Sequence, residues 1–571
     1  MAPGAAAADG AGGRTPVTTA ATAPPTSAGS AESSEGPAWP DPRADALAGP
    51  GLGSLSVASL LASSAVRHAE RTAVVCGAER VTYAQLWDQA RAYAGAFRAR
   101  GVGPGDRVAV LVPNVPDFPR VYFGLLALGA VVVPVHLLFT ADEVEHVLRD
   151  SGATLVVAAA PVLAAALPAA AAAGIPVVTL LVPDEQRDRV PAPRLEDEAA
   201  AAEPLERLVP VPPLAPATVL YTSGTTGRPK GAVGSHLAIV ENVNVVLIDC
   251  FDMRTGDVVF GGLPLFHTFG QVCVMNTAFR VGATVLLLPK FDPATALRVM
   301  DAERATVFIG VPTMYGALLQ AAGPHREGGR ELPPLRYAIS GGAALPEAVL
   351  DRFQQVFGAP VHEGYGLTET SPVASFNRVG EPAVAGSVGF PVWGVEAEVT
   401  DPAHPERIAV LPAGERGELV IRGHNLFKGY LGDPDATEAA VVDGWLRTGD
   451  IATKDDEGRI RIVDRAKDMI IRNGYNVYCR EVEEVLVRYP GVASVAVFGV
   501  ADEEHGQEVH AAVVVEDSEA GRTFDPGAMV AESRKHLAAY KYPRVVHVRE
   551  AMPQGPSGKV LKRELVAEYE G

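Results

Sequence analysis

The stretch YTSGTTGRPKGA, from Tyr221 to Ala232, follows a short apolar run at Thr218–Leu220 and combines small, hydroxyl-bearing and basic residues. Glycine lets the backbone approach a ligand closely, and consecutive backbone N–H groups in such a turn form a concave anion site. Hydroxyl groups and a lysine ammonium add donors for phosphate oxygens. The stretch therefore predicts a strand followed by a phosphate-binding loop, with the candidate phosphate-binding residues Thr222, Ser223, Gly224, Thr225, Thr226, Gly227 and Lys230.

The spacing of this loop differs from that of the P-loop of nucleotide hydrolases. That motif requires G-x-x-x-x-G-K-[ST]. Here Lys230 follows a proline, and Gly231 occupies the place of the magnesium-binding hydroxyl residue. A solvent-exposed turn between two strands is the alternative for such a composition alone, so other parts of the chain have to decide between the two.

Two further motifs contain chemical groups that could bind a nucleotide. SGGAAL, Ser340–Leu345, predicts a tight turn without bulky side chains, against which a flat adenine can lie. HEGYGLTET, His362–Thr370, places the aromatic ring of Tyr365 between glycines, and such a ring can stack on adenine. In the same motif, the hydroxyl of Thr368 could donate to a phosphate, and the carboxylate of Glu369 is a hard oxygen ligand for Mg²⁺. The candidate nucleotide-binding residues of both motifs are Gly341, Gly342, Ala343, Glu363, Gly364, Tyr365, Gly366 and Thr368.

Three more motifs each contain a polar residue that could have a functional role. GWLRTGD ends at Asp450, whose carboxylate can accept both hydroxyls of a ribose, and Arg465 can complete a ribose or phosphate contact. PLFHTFG contains His267 at the end of an apolar segment, where a buried structural histidine is the alternative. PQGPSGKVLKREL places Lys559 behind a Pro/Gly/Ser loop near the C-terminus, and alone it is an ordinary basic tail.

Taken together, these motifs, over residues 221 to 565, resemble those of the adenylate-forming enzymes in their order and spacing. That family comprises acyl-CoA synthetases, luciferases and peptide-synthetase adenylation domains, and the chain looks most like the synthetases of medium- and long-chain fatty acids. The resemblance implies that ATP and a carboxylic acid form acyl-AMP and pyrophosphate with the help of Mg²⁺. A thioester with CoA would follow.

The resemblance also implies roles for particular residues. Lys559 would be the catalytic lysine, with Thr368 and Glu369 completing the catalytic set and Glu369 holding the metal. Lys467, within DRAKD, falls where the family has its hinge. The residues that it implies for acyl or CoA binding are His267, Val311, Val373, Gly474 and Tyr475.

Two departures from the family's common text concern other positions. His136 and Leu137 stand where many relatives carry an Asn-containing turn, and Cys479 stands where a proline is common. None of these residues is a proposed catalytic group, so the departures bear on details of the substrate and of loop position.

Composition narrows the class of protein. The chain has 571 residues, of which 48% are hydrophobic and 20% charged, and its net charge is −19. A length of this size predicts two or three domains of a globular protein, and the acidic balance argues against a general nucleic-acid binder. The four cysteines are scattered without a C-x-x-C pair, which predicts a reducing, cytoplasmic compartment and no zinc site.

The order of patterns along the chain predicts its domains. Residues 1–53 are rich in Ala, Pro, Gly, Ser and Thr and are expected to be a disordered tail. Strand and helix signals alternate from about Thr72, with capping-box pairs at Thr82 and at Thr140, which predicts layered α/β sheets with parallel pairing. We expect a large adenylation domain over 54–464 and a small, mobile α+β domain over 465–571.

One uncharged segment needs a separate interpretation. Ser151–Pro183 is long enough to span a bilayer, but prolines and a glycine interrupt it and alanine is only weakly apolar. Its subsegments TLVVAAA, PVLAAALPAAAAAG and IPVVTLLV favour a buried strand, helix and strand instead.

The sequence thus predicts an AMP-forming acyl-CoA synthetase, with a fatty acid as the expected substrate. The alternatives are a ligase that loads a carrier protein, an aryl-acid CoA ligase or luciferase-like oxygenase, and a non-catalytic ATP-binding relative. No carrier domain follows Gly571, so a free carrier would be needed, and a peripheral membrane contact stays open. Loss of Lys559, Glu369 or Asp450 would favour the non-catalytic relative, and all three are present.

Overall fold

The computed structural model of the protein describes residues 55–222, 229–502, 504–555 and 559–570. The predicted disordered tail, 1–53, lies outside these residues. So do Ser223, Gly224, Thr225, Thr226 and Gly227 of the predicted phosphate loop. Lys559 begins the last described segment, and Thr222 and Lys230 border the loop.

Two β-sheets of short, Val- and Ala-rich strands carry most of the first 390 residues. Their strands are β1 Thr72–Cys76, β2 Glu79–Thr82, β3 Arg107–Leu111, β4 Val131–Pro134, β5 Leu155–Ala159, β6 Val177–Leu180, β7 Pro216–Thr222, β8 Lys230–Ser235, β9 Val258–Gly261, β10 Thr284–Leu287, β11 Val307–Gly310, β12 Tyr337–Ser340, β13 Val361–Gly366, β14 Val373–Phe376 and β15 Phe390–Pro391.

The two sheets are mainly parallel, as the alternation of strands and helices predicts. One sheet has the order β15-β14-β13-β12-β11-β9-β10-β1-β2, and the other has the order β6-β5-β3-β4-β7-β8. Antiparallel pairs occur at their margins, between β1 and β2, between β7 and β8, and along β13-β14-β15. Parallel strands need crossover connections, and helices supply most of them.

The described helices are α1 Ala58–Arg67, α2 Tyr83–Ala99, α3 Asp117–Ala127, α4 Ala141–Ser151, α5 Leu163–Ala173, α6 Leu195–Ala201, α7 His236–Val245, α8 Thr277–Val281, α9 Pro293–Ala302, α10 Pro312–Glu327, α11 Glu347–Phe357, α12 Pro434–Ala440, α13 Cys479–Leu486, α14 Glu519–Arg522, α15 Pro526–Ser533 and α16 Lys562–Glu570. Both predicted capping boxes are present, at the N-termini of α2 and α4. Val246–Cys250 and Phe269–Asn276 form π-helical segments, a wider winding that is frequent at functional sites.

The uncharged segment Ser151–Pro183 folds as the predicted strand, helix and strand, namely β5, α5 and β6. Every residue of β5 is buried, and β6 pairs with it in parallel. In the part of the chain that the structure describes, no helix combines the length and the apolar character needed to cross a bilayer.

Two further sheets follow in the C-terminal third. The first contains β16 Val395–Thr400, β17 Gly417–Gly423, β18 Val441–Val442, β19 Trp445–Lys454 and β20 Ile460–Arg465, all antiparallel. The second contains β21 Ile470–Arg472, β22 Tyr475–Val477, β23 Val492–Asp502, β24 Gly506–Val515 and β25 Val545–Arg549. Together with α13 to α16, the second sheet forms the small α+β C-terminal part that the sequence predicts.

A short turn at 466–468 joins β20 to β21, and so connects the last two sheets. The N–H groups of Asp468 and Met469 both donate to the carbonyl of Arg465, and the N–H of Ala466 donates to the carbonyl of Gly449. The turn coincides with the start of the predicted small domain, whose exact boundary stays a prediction.

Candidate active site

The predicted sequence motifs lie close together because they follow neighbouring parallel strands. In the larger sheet β13, β12, β11 and β9 lie side by side, and the carboxyl ends of parallel strands meet at one edge. Gly341–Ala343 follows β12, Gly364–Gly366 ends β13, Val311 follows β11, and the PLFHTFG segment follows β9. Ligands of open α/β sheets bind at this edge.

A pocket opens where these segments converge, and the C-terminal part contributes one residue to it. Its lining consists of Leu263, Pro264, His267, Phe269, Gly270, Val311, Gly342 and Lys559. Of these, only His267 and Lys559 carry ionisable side chains. The structure therefore brings the C-terminal lysine to an otherwise apolar pocket built by the large sheet.

A positive φ at Gly342 and a close approach at Gly366 explain two of the glycines. Gly342 has a φ of +81°, and a Cβ built on it would lie 3.4 Å from Val311 Cγ1 and 3.7 Å from Lys559 Cε. A Cβ on Gly366 would lie 1.8 Å from the carbonyl oxygen of Pro372. Side chains at these two positions would fill the pocket wall or push apart the turn that carries Glu369.

The His267 side chain is a neutral hydrogen-bond donor in the pocket. Burial lowers its pKa to about 4, with further lowering from the charges of Lys559 and His136. Its Nδ1 lies 3.2 Å from the backbone N of Phe269 and accepts that N–H. The proton of the neutral ring is therefore on Nε2, which can donate to an oxygen of a bound acid.

The ammonium of Lys559 lies in an electrostatic environment set by four nearby charges. Its pKa is lowered to about 8, mainly by removal from water and also by the charges of Arg465 and Lys467, against the raising influence of Asp450 and Glu369. These influences show that Lys559 is close to the predicted ribose-binding and metal-binding carboxylates. Glu369 and Lys559 thus lie near each other in the structure although they are about 190 residues apart in the chain.

Asp450 joins the predicted adenine and ribose groups. It accepts a hydrogen bond of 2.5 Å from the hydroxyl of Tyr365, and its other oxygen lies 3.5 Å from Arg465 Nε. Asp450 and Arg465 are also register partners on β19 and β20. Burial raises the pKa of Asp450 above its usual range, against the opposing influence of Arg465.

Glu369 and Lys230 belong to a second polar group, on the side of the predicted phosphate loop. The hydroxyl of Tyr430 donates to Glu369 Oε1 at 2.8 Å. Lys230 pairs with Asp433 at 3.0 Å and lies 5.6 Å from the centre of the Tyr430 ring. Thr368 immediately precedes Glu369 in a short 3₁₀ turn.

A carboxylate oxygen of Glu369 is free to bind a metal, as far as the described residues show. Tyr430 engages Oε1, and no described residue donates to Oε2. No described cluster of three His, Cys, Asp or Glu side chains could hold a metal by itself. A single carboxylate fits Mg²⁺ that is held jointly with nucleotide phosphates and water.

The remaining predicted residues have different surroundings. The Glu363 carboxylate accepts from the backbone N–H groups of Leu345 and Gly386, both at 3.3 Å, so it positions the SGGAAL turn. Val373 is buried in β14. These contacts leave the assignment of Glu363 to ATP as a prediction.

Gly474 and Tyr475 are not part of the pocket in this arrangement. Gly474, with a φ of +77°, lies in the turn of the β21–β22 hairpin, and Tyr475 is 59% exposed and stacks on Tyr540 at 4.8 Å. Lys467 is in the turn that connects the last two sheets, and burial and nearby Arg465 lower its pKa.

Sequence reasoning missed several residues that build the site. Phe269 lines the pocket, Tyr430 and Asp433 hold Glu369 and Lys230, and Asn114 binds the pocket segment through the carbonyls of Gly261 and Leu263. Asp433 had a readable signal, because it precedes a proline and caps α12. Its pairing with Lys230 had none, because it joins residues far apart in the chain.

The fold and the polar groups around the pocket define a class of nucleotide-binding enzymes with a separate C-terminal part. Comparison with known proteins places the chain within that class. The family model of AMP-binding enzymes matches residues 61–431, and that of their C-terminal domain matches residues 481–559. The chain therefore belongs to the AMP-binding enzyme family.

Individual relatives extend over nearly the whole chain. A feruloyl-CoA synthase of Amycolatopsis sp is 39% identical over 497 residues, covering 86% of this chain and 95% of the relative. A long-chain-fatty-acid–CoA ligase of Bacillus subtilis (strain 168) is 34% identical over 544 residues, covering 89% and 94%. Among solved structures, ATP-bound MatB from Rhodopseudomonas palustris is 32% identical and aligns with a TM-score of 0.80 over 90% of this chain and 99% of that one. The apo structure of MatB aligns with a TM-score of 0.70.

Proposed function

We propose that this AMP-forming acid–CoA ligase acts on an unbranched aliphatic acid of medium or long chain. The observation that carries the proposal is the lining of the pocket: among the described residues that form it, Lys559 is the only cation, and the walls are apolar side chains such as Leu263, Phe269 and Val311. An acid with a second carboxylate would leave that group unpaired, at a cost of several kcal/mol.

In the first half-reaction, a carboxylate oxygen of the acid attacks the α-phosphorus of ATP, and the bond to the pyrophosphate oxygen breaks. Two anions have to meet, so preorganised positive charge must offset their repulsion. The ammonium of Lys559 lies at the pocket and supplies this charge between the carboxylate and the α-phosphate. The Nε2–H of His267 orients the acid.

The proposed ATP site extends from the pocket along the two polar groups. Tyr365, with the Gly341–Ala343 turn, flanks the adenine, and Asp450 with Arg465 binds the ribose. Lys230 and the loop that it borders hold the β- and γ-phosphates. Glu369 would hold Mg²⁺ together with these phosphates, and the ion would supply positive charge that offsets the charge of the pyrophosphate.

In the second half-reaction, the CoA thiol attacks the acyl carbon, and AMP leaves. The thiol needs the space that Lys559 occupies, so the C-terminal part has to turn about Lys467 and bring Gly474 and Tyr475 to the pocket. The better alignment with the ATP-bound than with the apo structure of MatB supports the view that the present arrangement serves adenylation.

The substrate proposal predicts a rise of kcat/KM with chain length until the pocket is filled. Each buried methylene contributes about 0.8 kcal/mol, close to a fourfold gain. The measurement is pyrophosphate release with acetate, octanoate, palmitate, malonate and 4-coumarate at saturating ATP and CoA. A clear preference for acetate or malonate over both longer acids would refute the proposal of an aliphatic substrate in an apolar pocket.

An aryl acid is the second candidate substrate, and a specific observation favours it. The feruloyl-CoA synthase shares more identical residues with this chain than the long-chain ligase does, and Phe269 provides a ring against which an aromatic acid can pack. Preference for 4-coumarate in the same assay would select this candidate. Assays with CoA, with a phosphopantetheinylated carrier protein and with lipid vesicles separate the proposed CoA acceptor from a carrier or membrane partner.

The rate of adenylation should fall as the pH rises through about 8. The pKa of Lys559 is lowered to about 8, and only the protonated ammonium offsets the charge of the two anions. We therefore expect kcat/KM for pyrophosphate release to decline above that pH, because this parameter reports groups of the free enzyme. In Lys559→Arg the residual activity should lose this decline, since arginine stays protonated. A decline at the same pH in both proteins would assign it to another group.

A further inference from the structure

The first helix after the turn at 466–468 receives its N-terminal cap from the other side of that turn. Helix α13 begins at Cys479, and the side chain of its own N-cap residue, Tyr478, makes no capping hydrogen bond. Instead, the backbone N–H of Cys479 donates to Asp464 Oδ2. A helix N-terminus leaves such N–H groups unsatisfied, and a carboxylate is a preferred acceptor for them.

Asp464 is itself fixed in the sheet that carries the proposed ribose site. It is the penultimate residue of β20, lies opposite Ile451 of β19 and is 8% exposed. Its Oδ1 accepts the backbone N–H of Arg465 at 2.8 Å. One oxygen of the carboxylate therefore accepts a hydrogen bond from its own strand, and the other accepts one from α13.

The capped helix is linked to the segment that carries the proposed catalytic lysine through a half-buried ion pair. Glu483 of α13 pairs at 2.8 Å with Lys562, the first residue of α16, and Lys562 is three residues beyond Lys559. The charge of Lys562 also acts on Asp464. A second bond from α13 reaches back to β20, because Arg480 Nη1 donates to the carbonyl of Ile462.

We propose that Asp464 is a positioning residue, which holds the C-terminal part in the arrangement that places Lys559 in the pocket. This inference rests on the proposed two-step function with a turn about Lys467. Asp464 precedes that residue and Cys479 follows it, so rotation separates the carboxylate from the N–H. The hydrogen bond thus stabilises the adenylation arrangement relative to the thioester-forming one, and a bond made in only one of two states shifts their populations.

The test removes the same hydrogen bond from each side. Asp464→Ala removes the acceptor, and Cys479→Pro removes the donor. Proline suits the first position of a helix, and the backbone of Tyr478 (φ −85°, ψ 115°) is extended, as a residue before proline must be. Cys479→Ala is the matched control, because it keeps the N–H and loses only the thiol, which donates to the carbonyl of Asp468.

We expect Asp464→Ala and Cys479→Pro each to lower pyrophosphate release about tenfold. Thioester formation from chemically synthesised acyl-AMP should stay at the wild-type rate or above it. The double variant should match each single variant within about twofold, because both changes remove one bond. Trypsin should cleave after Arg465 and Lys467 several-fold faster than in the wild type, and Cys479→Ala should match the wild type in every measurement.

Equal loss in both half-reactions, additive effects in the double variant, or unchanged rates and cleavage would each overturn the positioning role. Asp464→Asn, which keeps one acceptor, provides a milder variant if Asp464→Ala does not fold. A wild-type protein that forms no thioester would instead contradict the proposed function. Faster cleavage in the variants would then still support the cap.

Discussion

Replacing Lys559 with alanine is expected to reduce acyl-AMP formation more than about a hundredfold while leaving thioester formation from supplied acyl-AMP largely intact. The ammonium lies in the pocket beside His267, close enough to Asp450 and Glu369 for their charges to raise its pKa. It is therefore placed to offset charge where the acid meets the α-phosphate. The measurement is pyrophosphate release for the first half-reaction and thioester formation from synthetic acyl-AMP for the second.

A surface lysine of the same C-terminal part provides the control for charge alone. Lys535 pairs only with Glu532 on an exposed face, so Lys535→Ala should behave like the wild type in both half-reactions. Equal losses in both half-reactions of Lys559→Ala would contradict the division of labour, because the second half-reaction is proposed to proceed with this lysine out of the pocket.

Replacing Lys467 with proline is expected to preserve acyl-AMP formation and to reduce transfer to CoA severely. Proline fixes φ and so restricts the rotation that we propose for the second half-reaction. The change removes no described hydrogen bond of the turn, because the N–H donors there are those of Ala466, Asp468 and Met469. Single-turnover kinetics would separate the two steps, with acyl-AMP accumulating on the enzyme.

Lys467→Ala separates the backbone effect from the charge effect. The ammonium of Lys467 lowers the pKa of Lys559, so the alanine variant should shift the decline in adenylation towards higher pH while keeping normal transfer to CoA. Wild-type turnover by Lys467→Pro would mean that the rotation occurs at another residue.

The sequence was sufficient to predict those parts of the molecule that depend on local patterns. The capping boxes at Thr82 and Thr140, the strand–helix–strand unit within Ser151–Pro183 and the mainly parallel sheets are all present. Each follows from hydrophobic periodicity or from side-chain groups three residues apart, which act over a single turn of chain.

That the candidate nucleotide-binding motifs lie close together in space was predictable only from the resemblance to the adenylate-forming enzymes. Spacing along the chain does not reveal that β13, β12, β11 and β9 are neighbours. The order of strands in a sheet depends on packing between distant segments. Once that order is known, the meeting of Val311, Gly342 and Tyr365 at one edge follows from parallel pairing alone.

Side-chain partners across long separations were not predictable from the sequence. Tyr430 donates to Glu369 across 61 residues, and Phe269 reaches the pocket through a π-helical segment that no periodicity signals. The bond between Asp464 and Cys479 likewise depends on how α13 is set against β20. Such contacts depend on the orientation of whole elements, which composition does not encode.

The adjacency of Asp464, Arg465 and Lys467 has a thermodynamic consequence. Arg465 contacts the proposed ribose ligand Asp450. The residue before it, Asp464, caps α13, and the proposed hinge residue, Lys467, lies two positions after it. A nucleotide that favours one orientation of the C-terminal part by a given factor must, by reciprocity, bind that much more tightly in that orientation. Exchange of ATP for AMP in the site would then reset the orientation, so that the progress of the reaction itself determines which half-reaction the enzyme is ready to perform.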